Sequence, residues 1–219
     1  METGPSSRIG GFRGEPCFML LIMRRIFAQC VAAILIFAGS LTVAQTPPLH
    51  VTDIQGNPVE KLAAPGIRAV VLIFAATDCP ISNRYIPEIT RLDRELSAKS
   101  VAFRWVFPNS GDTLPVVRKH VADFGITTPA LMDPKQDLVH MAHVAVTPEA
   151  AVFAVTDGNL KEVYYGRIDD RYIAFGQQRP QATRHDLEEA IQAALAGRPA
   201  SKPAHGPVGC AIIPLAHKP

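Results

Sequence analysis

The sequence predicts an α/β fold, a mixed central sheet flanked by helices. Three observations carry that expectation. Ala69 to Ala76, AVVLIFAA, is an unbroken apolar run of eight, too short for a helix and as uniform as a strand covered on both faces should be. An amphipathic helix follows it at once, and Val101 to Phe107 repeats the strand-then-helix order. The chain then closes on a hairpin and one more helix, so parallel crossovers and an antiparallel pair share one sheet.

The elements follow in chain order. Leu49 to Val59 alternates apolar and polar residues around Gln55-Gly56-Asn57-Pro58 and predicts an N-terminal β-hairpin. After the strand Ala69 to Ala76, a helix starts at Pro80, where a missing N–H costs nothing. Tyr85, Ile89, Leu92 and Leu96 fall on one face of it, Arg91, Asp93 and Arg94 lie opposite, and Pro87 should kink it. Val101, Phe103, Trp105 and Phe107 make a strand that stops at Pro108. Thr113 opens a helix with the apolar face Val117, Val121 and Phe124, ended by Gly125. Asp133-Pro134 caps a shorter helix through Leu138, Met141 and Ala142, leading into Val144 to Pro148. Ala150 to Val155 and Leu160 to Tyr165 form a hairpin about Asp157-Gly158-Asn159. The last helix is predicted from Thr183, with Leu187, Ile191, Ala194 and Leu195 on its face, to Gly197; a Pro-rich tail, Arg198 to Pro219, follows.

Composition bounds the organisation. With 219 residues and 47% hydrophobic content, one sizeable core is expected, here over residues 49–197. Residues 1–44 form a separable leader. Arg24 and Arg25 precede the apolar run Ile26 to Ala44, and Ser40, Thr42 and Ala44 close it, the pattern of a secretory signal. An uncleaved membrane anchor is the competing reading, and Met19 or Met23 are alternative starts. Removing 1–44 takes away Arg8, Arg13, Arg24, Arg25, Glu2 and Glu15 and leaves eighteen basic and eighteen acidic side chains. A formally neutral domain has no general pull toward nucleic acid or anionic lipid, so neither is an expected partner, the leader apart.

The leader also holds Cys17 and Cys30, so the exported part keeps two cysteines, Cys79 and Cys210. An even pair in an oxidising compartment, periplasmic or secreted, is a candidate disulfide. Cys79 stands at the end of a buried strand, just before Pro80, and so at a helix N-terminus, where unpaired N–H groups and the macrodipole favour the reactive thiolate. Its neighbour Asp78 opposes a second negative charge. Thr147-Pro148 precedes the hairpin strand. His140-x-x-His143 has spacing compatible with one helical face, and Cys79 with His140 or His143 is a candidate soft-metal site. No cofactor is expected. The charged run Arg167-Ile168-Asp169-Asp170-Arg171-Tyr172 reads as a solvated loop held by its own ion pairs, placed to brace the tail or meet a partner.

Over Leu49 to Gly197 the chain resembles the thioredoxin-like superfamily: a strand, a Cys-Pro helix start, Pro87 eight residues after the cysteine, and Thr147-Pro148 before the terminal hairpin. More narrowly, DCPISNRYIPEI, VTPEAAVF, YGRIDDRY, RPQATRHDLEEAIQAALAG and VGCAI resemble exported bacterial redoxin-domain proteins of the thiol-disulfide isomerase-like and alkyl hydroperoxide reductase groups. The resemblance implies a cis peptide before Pro148, a Thr147 backbone that pairs with a bound partner strand, and Cys79 as the first cysteine of a C-x-x-C motif. The protein thiols and disulfides on which such proteins act are the implied partners.

Two departures qualify it. Ser82 stands where the second cysteine belongs, so Cys79 has no local partner to resolve a mixed disulfide. A peroxiredoxin site has Thr or Ser three residues before the cysteine and Pro four residues further upstream; here these are Ala76 and Leu72, with Thr77 one residue out of register. Cys210 supplies the missing partner if the tail folds back, either as a resolving thiol or as a permanent link. Such a link closes a loop of about 130 residues and stabilises by roughly 4 to 5 kcal/mol in the chain-entropy model. The functional expectation is thiol–disulfide exchange by Cys79 and Cys210, supported by Pro80, Ser82, Thr147 and Pro148. A noncatalytic binding module with a fixed disulfide, a thiol peroxidase and a copper chaperone are the alternatives.

Overall fold

The computed structural model describes residues 49–215; the leader with Cys17 and Cys30, the starts at Met19 and Met23, and the end of the tail from 216 lie outside the described residues. A six-stranded sheet organises the rest. In chain order its strands are β1 (Thr52–Asp53), β2 (Ala69–Phe74), β3 (Val101–Phe107), β4 (Ala130–Met132), β6 (Glu149–Thr156) and β7 (Asn159–Gly166), arranged β1-β4-β3-β2-β6-β7. β2 runs parallel to β3 and β3 to β4, while β1, β6 and β7 pair antiparallel with their neighbours. This is the mixed thioredoxin-like sheet expected from the sequence.

β2 is buried along its whole length because it packs against side chains on both faces. Ala69, Val71 and Ile73 join one core with Phe103, Trp105, Phe107, Val117 and the apolar stripes of α1 (Pro80–Leu96) and α4 (Asp186–Leu195). Val70, Leu72 and Phe74 join the other with Leu131, Phe153 and α3 (Asp137–Met141). The period-two alternation of a strand thus feeds two layers at once. α1 runs unbroken through Pro87 and buries Tyr85, Ile89, Leu92 and Leu96 as its spacing predicts. The terminal hairpin turns on Asp157 (φ 51°) and Gly158 (φ 78°), with Thr156 opposite Asn159, the two-residue geometry that Asp-Gly favours.

Several expectations need correction. The N-terminal hairpin is reduced to one bridge, Thr52 to Pro58, because Thr52 and Asp53 instead pair with Met132 and Leu131 at the sheet edge. On α2 (Leu114–Asp123), Val117 and His120 are the buried residues while Phe124 is 47% exposed. The last helix begins at Asp186, not Thr183, whose N–H and hydroxyl are held by the Asp170 carboxylate at 2.7 and 2.6 Å. The run from Arg167 to Asp170 is buried rather than solvated. Arg167 pairs with Asp186 at 2.7 Å, Asp169 accepts from the Tyr85 hydroxyl, and Asp170 also accepts from the Arg184 N–H at 3.0 Å. Each charge is internally satisfied, so burial is tolerated. The run fastens α1 and α4 together. Beyond it, β8 (Tyr172–Ala174) and β9 (Gln177–Gln178) form a small hairpin.

Candidate redox site at the start of helix α1

β2 ends in the buried pair Ala75-Ala76, and the chain turns there, with the Cys79 N–H donating to the Ala76 carbonyl at 3.1 Å. Cys79 is the N-cap of α1 (φ −83°, ψ 111°), and Pro80 occupies the first helical turn. The cysteine is completely buried.

Its partner comes from 131 positions away. β10 (Cys210–Ala211) pairs antiparallel with β5 (Val146–Thr147), which sets Cys210 directly opposite Thr147. The Thr147–Pro148 peptide is cis. The Thr147 carbonyl accepts from the Cys79 thiol at 3.2 Å, and the Cys210 thiol donates to the Cys79 sulfur at 2.9 Å. Both cysteines are present as thiols. The backbone edge that the resemblance reserves for a partner strand is therefore filled by the chain's own tail.

Gly209 permits this approach. A Cβ at that position would stand 2.2 Å from the Thr147 oxygen and 2.6 Å from its carbonyl carbon. Further anchors hold the tail beyond Cys210. Ile212 is buried in the second core, and its N–H donates to the Ala145 carbonyl at 2.9 Å. Gln136, buried and in the left-handed region at φ 57°, donates its amide to the Ile213 carbonyl at 2.7 Å and accepts from the Leu215 N–H at 3.3 Å. Glu149 fixes β5 itself, accepting from the Ala145 and Val146 N–H groups at 2.9 and 3.3 Å; burial pushes its carboxyl above the usual range.

The two thiols differ electrostatically. Burial opposes a charged Cys79, yet hydrogen bonding from the Cys210 thiol and from the backbone and hydroxyl of Ser82 outweighs it, and the Cys79 thiol lies below its ordinary value. Cys210 is pushed up to about 12 by burial, by its hydrogen bond to Cys79 and by the charges of Cys79 and Asp78. Asp78 thus weighs on Cys210, and it is not among the principal influences on Cys79. Ser82 is 1% exposed and its hydroxyl has no other hydrogen-bond partner, so a negative sulfur is the acceptor it lacks.

Cys79, Pro80, Ser82, Thr147, Pro148 and Cys210 therefore converge, whereas the candidate metal pair does not share a helical face. α3 ends at Met141, and His143 lies beyond it at φ 52°, exposed and 2.9 Å from Glu162. Thr77 is also committed elsewhere, its N–H and hydroxyl donating to Asp112 at 3.0 and 2.6 Å. Gly209, Gln136 and Glu149 are the supporting residues that sequence reasoning missed. Gly209, inside the VGCAI motif, and Glu149, inside VTPEAAVF, carried a sequence signal, and Gln136 did not.

Residues 43–163, more than half of the chain, match the AhpC/TSA family. The chain belongs to the AhpC/TSA family. No curated protein matches it. Among solved structures, an uncharacterized conserved protein from Geobacillus kaustophilus is 24% identical, with a TM-score of 0.63 over 80% of this chain and 92% of that one. A hypothetical protein from Sinorhizobium meliloti is 23% identical, with a TM-score of 0.62 over 81% and 97% of the two chains. A secreted Mycobacterium tuberculosis disulfide oxidoreductase homologous to DsbE is 17% identical over 67% and 93%, with a TM-score of 0.44. AhpC/TSA membership and the paired thiols give the site a redox role in general terms. No helix among the described residues is long and apolar enough to cross a membrane.

Proposed function

We propose that this AhpC/TSA-family chain is an exported thiol–disulfide oxidoreductase or isomerase acting on protein disulfides. One observation carries the reading: the β5–β10 pairing sets the Cys210 thiol 2.9 Å from the Cys79 sulfur, in the place that Ser82 leaves without a cysteine. Export rests on the leader pattern of residues 1–44.

The difference between the thiols orders the steps. Cys79, the lower of the two, attacks one sulfur of the substrate disulfide; that S–S bond breaks, a Cys79–substrate bond forms, and the departing substrate thiolate takes up a proton. The negative sulfur that raised Cys210 is then gone, which eases its ionisation. Cys210 attacks the Cys79 sulfur, the second substrate thiol leaves, and a Cys79–Cys210 disulfide remains. The substrate gains two electrons and the protein loses two; a dithiol partner restores the protein, and the reverse sequence oxidises a substrate. Because Cys79 is wholly buried beneath the tail, substrate entry requires β10 to lift from β5, freeing the Thr147 backbone for an incoming strand.

The test is reduction of a model protein disulfide. Cys79→Ser should abolish turnover, and Cys210→Ser should accumulate a mixed disulfide at Cys79. Unchanged turnover by the Cys79 variant contradicts the mechanism. A second reading draws on the burial of Cys79 and the many anchors of the tail: a static Cys79–Cys210 link in a noncatalytic binding module. Its mark is a redox potential below about −300 mV. Peroxidase chemistry lacks its usual helper, since Ala76 has no hydroxyl and that of Thr77 is engaged by Asp112.

A further inference from the structure

A cavity of about 390 Å³ lies beside α1, away from the thiol pair, lined by Arg84, Arg171, Tyr172, Gln178, Arg179 and Pro180. Three of the six are guanidinium side chains, and their compensation is incomplete. Arg179 donates to the Asp170 carbonyl at 2.6 Å and stands 3.8 Å from its carboxylate. Arg84 bonds only the neutral Gln178, at 3.1 Å, and neither Arg84 nor Arg171 forms a salt bridge among the described residues. The carboxylates nearby are already engaged: Asp169 by the Tyr85 hydroxyl and the Arg171 N–H, Asp170 by Thr183 and Arg184.

Two further donors lie behind these walls. The Arg171 Nε and the Tyr172 hydroxyl are buried and without a hydrogen-bond partner. Guanidinium charge left without carboxylate partners on a cavity wall is matched by an anionic, acceptor-only ligand. The walls are fixed in advance: the Arg179 N–H donates to the Arg171 carbonyl at 2.8 Å, and the Tyr172 ring packs on Tyr85, 5.6 Å between centroids. Planar guanidinium forks match a carboxylate in two-point contact. We propose that this cavity binds a carboxylate of the thiol or disulfide substrate. Arg84 stands five residues along α1 from Cys79, about 7.5 Å in rise and about 140° around the helix, so a substrate engaging both must reach around the start of α1. The substrate half of the proposal rests on the exchange reading above; the anion half rests on the cavity alone.

The experiment compares two disulfide probes: glutathione disulfide, which carries carboxylates, and bis(2-hydroxyethyl) disulfide, which is neutral. Rate constants for oxidation of the reduced protein are normalised to those for oxidised dithiothreitol, a neutral cyclic disulfide. The expected result is a preference for the anionic probe that falls about tenfold in R84Q/R171Q, the size of one charge-assisted hydrogen bond. It should also erode as ionic strength rises. A preference unaltered by these substitutions overturns the proposal. Should neither probe react with the wild type, the exchange reading fails, and citrate binding by calorimetry tests the cavity separately. The wild type should then bind at least tenfold tighter than R84Q/R171Q, and equal affinities overturn the anion site. A peptide disulfide flanked by glutamates, compared with one flanked by glutamines, separates the sources: selectivity there assigns the carboxylate to a polypeptide, and its absence to a small molecule.

Discussion

Replacing Gly209 with alanine perturbs the tail without touching either sulfur. The added Cβ would lie 2.2 Å from the Thr147 oxygen, whereas ordinary contacts begin at 3.4 Å, so the strand must retreat by about 1.2 Å. Gly209 is outside the left-handed region, and alanine therefore adds no backbone strain there. A retreat of that size opens the 2.9 Å thiol contact and the Cys210–Thr147 pairing, while Ile212 and Gln136 still hold the chain beyond. Losing one or two net hydrogen bonds costs about 1 to 3 kcal/mol. The effective concentration of Cys210 at Cys79 should then fall about 5- to 150-fold. Equilibration of the two cysteines with glutathione buffers measures it directly. Alkylation of Cys79 by iodoacetamide should accelerate in the same variant because the sulfur is less covered. An unchanged effective concentration, with the fold intact by circular dichroism, would refute the claim that the close approach of the tail governs this site.

Other consequences follow from the same geometry. Cys210→Ala removes the largest favourable influence on the Cys79 thiolate, so the Cys79 titration, followed by thiolate absorbance, should move to higher pH. Gln136→Leu releases Ile213 and Leu215 and should speed Cys79 alkylation, less strongly than Gly209→Ala because the β5–β10 pairing remains. Asp170→Ala leaves the Thr183 and Arg184 N–H groups without their acceptor, a cost of about 2 to 4 kcal/mol. That corresponds to roughly 4 to 16 °C in Tm by calorimetry. Burial works against the Asp170 carboxylate, but hydrogen bonds from Thr183 and Arg184 hold it well below the usual range. Its stabilisation is therefore present above the unfolded carboxylate pKa and lost as pH falls toward the depressed value; the gap between wild type and Asp170→Ala should shrink in acid.

The parts of the fold written in local pattern were legible. The octad Ala69–Ala76, the stripe Tyr85-Ile89-Leu92-Leu96 and the Asp157-Gly158 turn each encode their element within a few residues, and each is found. What escaped was encoded at long range. β4 is three residues long and β10 two, too short for any periodicity, and their positions come from pairing with distant strands. The run Arg167 to Asp170 was misread because charge density normally signals solvent. Its partners Tyr85, Thr183 and Asp186 lie outside the run, and only the fold brings them to it. At the site, Cys79, Thr147 and Pro148 were visible as motif, and Cys210 as the other cysteine beyond residue 44. The device that joins them, a glycine thin enough to lie against a carbonyl, shows only when both backbones are in place.

The most direct test of the central claim is the redox potential of the Cys79–Cys210 couple, measured against glutathione. Hydrogen bonding that favours the Cys79 thiolate stabilises the reduced state and makes the pair more oxidising. An exchange-active couple should fall at about −120 to −200 mV. A value below about −300 mV would mark a permanent structural link and contradict a resolving role for Cys210.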